Sequence, residues 1–182
     1  MKHLDLFLTD AHFASELARC VYCEEKPCTE ACPADCSPAD FIMAARGGTP
    51  ADIKRSAALI MVKNALGGVC GAVCPETHCQ AACSRKLFDR AIEIPYVQAA
   101  IVARAKKLGV MPKLEVTPAN GKKIAIVGSG AAGLSAAMVL AQMGYDVDIR
   151  ALEQTYGIRL TKFSEVLANE EWAHPPLVGG RS

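Results

Sequence analysis

Residues 19–33 read Arg19-Cys20-Val21-Tyr22-Cys23-Glu24-Glu25-Lys26-Pro27-Cys28-Thr29-Glu30-Ala31-Cys32-Pro33, and residues 70–83 read Cys70-Gly71-Ala72-Val73-Cys74-Pro75-Glu76-Thr77-His78-Cys79-Gln80-Ala81-Ala82-Cys83. These two runs hold eight of the nine cysteines, as C-x2-C-x4-C-x3-C-P and C-x3-C-P-x3-C-x3-C. Thiolates two to four residues apart can converge on one metal centre from a turn and the helical residues that follow it. A proline after Cys32 and after Cys74 repeats a feature of the bacterial ferredoxin run. The runs therefore predict two [4Fe–4S] clusters, and with them electron transfer.

Zinc and disulfides are the competing uses of dense cysteine. Zinc ribbons pair two C-x2-C knuckles across a longer insert, whereas each run here is four cysteines deep without a break. Disulfides need an oxidising compartment. The chain opens Met1-Lys2-His3-Leu4-Asp5, with Asp5 and Asp10 where an export signal carries its apolar core. A reducing cytoplasm, where thiols stay available to metal, is the expected location.

A formal charge of +1, with no basic run interleaved with aromatics, speaks against nucleic acid as a partner. The uncharged stretch from Ile124 to Tyr145 approaches the length of a bilayer span, but Gly128, Gly130 and Gly133 interrupt it where a strand turns into a helix. It reads as a βα unit, and no membrane contact is expected.

The pattern divides the chain near Thr117. Up to residue 116 the signals are helical: Asp10 to Ala18, Ala39 to Ala45 behind Ser37-Pro38, Pro50 to Ala65, and Pro95 to Leu108 with Val97, Ile101, Val102 and Ala105 on one face. Residues 109–121, with Pro112 and Pro118, read as a linker. Residues 117–182 then show a strand at Lys122–Val127, a glycine turn, a helix from Ala131 to Met143 stopped by Gly144, and a second strand from Asp146 to Arg150. Thr161 to His174 has the pattern of one amphipathic helix. The expected fold is mostly α: a helical two-cluster domain, 1–116, followed by a shortened Rossmann-like βαβ unit, 117–182.

In two-cluster ferredoxins the fourth cysteine of a run ligates the other cluster. On that logic Cys20, Cys23 and Cys28 share one centre with Cys83, and Cys32 crosses to Cys74 and Cys79. By spacing alone, Cys70 is the fourth ligand of the second centre. Cys36 matches no ligand position and is expected to be a buried, inert thiol.

The first run, then Asn64-Ala65-Leu66-Gly67-Gly68-Val69-Cys70 leading to Cys74-Pro75, and Ile92-Glu93-Ile94, resemble the N-terminal iron–sulfur region of dihydropyrimidine dehydrogenase and its bacterial subunit equivalent. They are more distantly similar to the small chain of glutamate synthase. The resemblance covers roughly Leu17 through Asp148. It implies that a glutamine side chain supplies the last ligand of the second cluster, which here is Gln98. That assignment gives the second cluster Cys32, Cys74, Cys79 and Gln98, and leaves Cys70 a non-ligand.

Gly128-Ser129-Gly130-Ala131-Ala132-Gly133 follows a strand and opens a helix, the context in which such a turn presents backbone N–H groups to a pyrophosphate. The resemblance implies FAD at these six residues. The acid expected at the end of the next strand, near Ala151, is missing, and Glu153 is displaced from that place. Tyr156-Gly157-Ile158 keeps a segment of the family without the paired glycines before it. This chain alone is thus expected to bind FAD weakly or not at all. The function implied is an electron-transfer component of a flavin-dependent, NAD(P)H-linked oxidoreductase that works with a flavoprotein or reductase subunit. The alternatives are a glutamate-synthase-type fragment and a non-catalytic assembly or docking module.

Overall fold

The computed structural model describes residues 8–150, and the chain divides into two compact units, Met1–Lys113 and Leu114–Ser182. The amphipathic segment at 161–174, Ala151, Glu153 and Tyr156-Gly157-Ile158 lie outside the described residues.

The first unit is helical: α1 (Asp10–Arg19), α2 (Pro27–Glu30), α3 (Pro38–Ala45), α4 (Pro50–Met61), α5 (Gly67–Val73) and α6 (Ile94–Lys107), with a 3-10 turn at Ser84–Leu87. Local chemistry explains several starts. The Thr9 hydroxyl accepts from His12 N–H at 3.2 Å to cap α1. Thr49 and Asp52 form a reciprocal capping box on α4, and proline occupies the first turn of α2, α3, α4 and α6, where no N–H is missed. The apolar faces of α3, α4 and α6 meet in a core containing Phe41, Ile42, Ile60, Val97 and Ile101, all at most 1% exposed. Each such side chain contributes about 1.5–3 kcal/mol relative to exposure. Ser56 Oγ donates to Phe41 O at 2.7 Å and ties α4 to α3 inside this core.

Two features differ from the sequence reading. α4 ends at Met61 rather than Ala65, because Lys63 and Asn64 N–H groups fold back onto Ile60 O and the Asn64 side chain caps Leu66 N–H. The glycine-rich stretch Gly67–Val73 then forms a helix that propensity disfavours. Packing supplies the reason: a Cβ at Gly71 would stand 2.6 Å from Ala99 N and 2.7 Å from Pro95 O, so only glycine lets α5 press against the backbone of α6.

A fully buried carboxylate closes the unit. Glu16, 0% exposed on α1, accepts from Arg19 Nη1 at 2.8 Å, from Glu93 N–H at 2.9 Å, and from Arg90. Burial pushes its pKa upward, but the Glu93 N–H, the Arg19 hydrogen bond and the two guanidinium charges outweigh it and hold the carboxyl below its ordinary value. A carboxylate with a depressed folded pKa stabilises the fold above its unfolded pKa, and that contribution is lost as pH falls through the folded value. Glu16→Ala is expected to cost about 2 kcal/mol at neutral pH by anaerobic denaturant titration, with the deficit shrinking in acid. A deficit that stays constant down to acid pH would show that the charge is not what stabilises.

The second unit pairs β1 (Lys123–Val127) with β2 (Asp146–Arg150) in parallel, Lys123 opposite Asp146 and Val127 opposite Arg150, joined by α7 (Ala131–Gln142). Gly144, at φ +81°, ends α7, as the sequence reading expects. Among the described residues no helix is long and apolar enough to cross a membrane.

Candidate iron–sulfur sites

α1 ends at Cys20, whose extended backbone sends the chain away from the helix axis. The loop from Val21 to Lys26 is then bent by left-handed backbone at Tyr22 (φ 52°) and Lys26 (φ 44°), conformations that non-glycine residues adopt only under constraint. The constraint is visible: Lys26 Nζ and Tyr22 Oη both reach Asp40 Oδ1 at 2.8 Å, tying the loop to α3. Cys23 lies inside this loop, and Cys28 follows on α2.

The result is a recess, open to solvent, lined by Cys20, Cys23, Cys28 and Cys83, with Ile42 and Ile92 among its apolar walls. Three of these cysteines come from the first run and one from the end of the second. Burial pushes the Cys20 thiol up, opposed by the charge of Arg46, and Cys83 and Cys23 are near enough to push it further. Cys28 is likewise raised by burial and by Cys20 and Cys83.

The remaining cysteines gather separately. The Cys79 thiol, 7% exposed, is pushed up to about 12 by burial first and then by Cys32 and Cys74. Cys74 is raised by burial, then by Cys70 and Cys32. Cys28 also acts on Cys79, so the two sets are neighbours. All nine cysteines are free. Among the described residues no three His, Cys, Asp or Glu side chains close on a point where one ion would sit. The donor chemistry and the recess fit a cubane cluster.

Two side chains bear on the fourth ligand of the second set. The Cys70 thiol stands 3.7 Å from Asn64 Oδ1, as donor to an amide oxygen. Gln98 on α6 donates from Nε2 to Gly67 O at 2.7 Å, and no hydrogen bond reaches its Oε1 among the described residues. Pinning the NH2 end orients the amide and leaves its oxygen available. Cys36, 1% exposed, faces Ile60 O at 3.9 Å and is pushed up to about 12 by burial and then by Cys32, the state of an inert thiol. Sequence reasoning did not find Glu16, Lys26, Asp40 or Arg46, since charged residues at irregular spacing carry no local signal.

In the second unit Gly128 takes φ +108°, Gly130 caps α7, and a Cβ at Gly133 would meet Gly128 O at 2.1 Å. The three glycines therefore set the turn, open the helix N-terminus and allow the helix to sit against the turn. Ser129, Ala131 and Ala132 complete that segment.

A helical unit that folds two cysteine runs into interlocking sets is the architecture of an iron–sulfur domain. Residues 1–110 match the family described as dihydropyrimidine dehydrogenase domain II, 4Fe-4S cluster, and the chain belongs to that family. It is 39% identical over 135 residues to the NAD-dependent dihydropyrimidine dehydrogenase subunit PreT of Escherichia coli strain K12, covering 74% of this chain and 32% of that protein. It is 33% identical over 132 residues to the NADPH-Fe(3+) oxidoreductase subunit beta of Geobacter sulfurreducens, covering 72% and 19%. Identity to the Escherichia coli glutamate synthase [NADPH] small chain is 32% over 127 residues, covering 69% and 26%. The chain thus spans about a third or less of the length of these curated relatives.

Proposed function

We propose that this chain is the iron–sulfur electron relay of a flavin-dependent, NAD(P)H-linked oxidoreductase of the dihydropyrimidine dehydrogenase type, working in the cytoplasm beside a flavoprotein or reductase subunit. One [4Fe–4S] cluster is held by Cys20, Cys23, Cys28 and Cys83, the other by Cys32, Cys74, Cys79 and Gln98. Bound clusters supply one-electron storage, and the protein holds them close together in a partly buried setting. The observation that carries this reading is the recess in which three cysteines of the first run meet Cys83 of the second. Anaerobically purified protein is expected to contain about eight irons and eight acid-labile sulfides per chain. Stoichiometric zinc without sulfide would overturn the reading.

The hydrogen bonds of Cys70 and Gln98 favour Gln98 as the fourth ligand of the second cluster. Cys70→Ser is expected to keep both clusters, while Gln98→Ala alters the electron paramagnetic resonance (EPR) spectrum or iron content of one. The reverse pattern restores an all-cysteine site.

The glycine turn offers N–H groups to a pyrophosphate, and among the described residues the sheet beside it is β1 paired with β2, with Val127 76% exposed at the mouth of the turn. A polypeptide of these 182 residues is expected to bind FAD weakly or not at all, and NAD(P)H is expected to reduce its clusters only after a flavoprotein is added. Co-purification of one tightly held FAD, or bleaching by NAD(P)H alone, would count against this.

A further inference from the structure

Arg46, the residue that ends α3, reaches across to the end of α1. Its Nε donates to Leu17 O at 3.0 Å and its Nη2 to Ala18 O at 3.0 Å and to Cys20 O. Those carbonyls belong to the last turn of α1 and to its C-cap, where partial negative charge collects and intrahelical partners run out. The guanidinium therefore holds the segment that delivers the first cysteine of the recess.

Its charge is also unbalanced. Lys26 and Arg85, the cations lining the recess, are each paired, with Asp40 and Asp89 at 2.8 Å. Arg19, beside Cys20, is paired with Glu16 and Asp89. Among the described residues Arg46 has only carbonyl partners and no carboxylate within ion-pair distance. A fixed cation beside a site that gains an electron favours the reduced, more negative form.

We propose that Arg46 is a positioning residue for Cys20 and raises the reduction potential of the site formed by Cys20, Cys23, Cys28 and Cys83. The inference rests on that quartet holding a cluster, so iron and sulfide content of the wild type are measured first. Wild type, Arg46→Lys and Arg46→Gln are then titrated anaerobically with dithionite under EPR. The signal lost in Cys83→Ser identifies the first site.

Arg46→Gln is expected to lower the ratio of reduced to oxidised first site at a fixed potential by about tenfold, or about 59 mV for a one-electron couple. The second site stays unchanged. Arg46→Lys, which keeps the charge and loses the three-carbonyl fork, should titrate close to wild type and release iron to a chelator faster. Because Arg46 is exposed, the wild-type first-site midpoint should also fall relative to that of the second site between about 0.01 M and about 1 M salt, as the Debye length falls from about 30 to about 3 Å. That measurement decides the matter if Arg46→Gln sheds its iron. A loaded wild type whose first-site midpoint does not fall in this way with salt, or variants whose first-site midpoints stay together, would overturn this inference alone. A wild type without iron would overturn the relay reading as well.

Discussion

Cys83→Ser is expected to empty the site of the first cysteine run, fifty residues and more upstream, and to leave the site built around Cys74 and Cys79 intact. The cause is geometric. Cys83 is 8% exposed at the start of the 3-10 turn Ser84–Leu87, and its thiol lines the recess with Cys20, Cys23 and Cys28. Serine is a poor ligand for a soft iron–sulfur centre, and three thiolates do not close a buried cubane against water. Iron should fall from about eight to about four per chain, with one of two EPR signals remaining. Cys32→Ser should give the reciprocal loss, because Cys32 is not among the residues lining the recess and lies near enough to Cys74 and Cys79 to raise their thiols. Each variant silencing the cluster of its own run would refute the crossing.

Removing iron altogether is expected to unfold the helical unit. Cys79 and Cys83 are part of its apolar core, and Cys20 and Cys28 pack against that core. The segments carrying them have little structure of their own: α2 is four residues long, and between Cys74 and Cys83 the chain forms only turns. Loss of the clusters leaves the thiols as small apolar groups and removes the tie between segments remote in sequence. Structural metal binding contributes on the order of 10 kcal/mol, comparable to the whole stability of a small domain. Chelation under anaerobic conditions should therefore abolish most of the unit's far-UV helical signal and its cooperative melting. An unchanged circular dichroism spectrum in iron-free protein would show that the core of α3, α4 and α6 stands without its staples.

Much of this was legible in local sequence. Helices that carry proline in the first turn, as at Pro38, Pro50 and Pro95, announce themselves within four residues, because backbone sterics are short-range. The glycines at 128, 130 and 133 specify a tight turn for the same reason, since positive φ and the absence of a Cβ are properties of single residues. The placing of Cys83 beside Cys20, Cys23 and Cys28 was also open to inference, though only through the ferredoxin pattern.

What the sequence by itself determined, then, is the metal chemistry of the two cysteine runs, the succession of helices and the glycine turn, because spacing, caps and backbone freedom are set within a few residues. Tertiary structure alone decided that Gly67–Val73 is a helix, since the glycines matter only where α6 comes within contact of Gly71. It also decided that Glu16 is a buried anchor, that Gln98 Nε2 is pinned to Gly67 O, and that Arg46 grips carbonyls at the end of α1. Each of those roles depends on a partner 26 or more residues away, and no local pattern records which distant group a long polar side chain will reach.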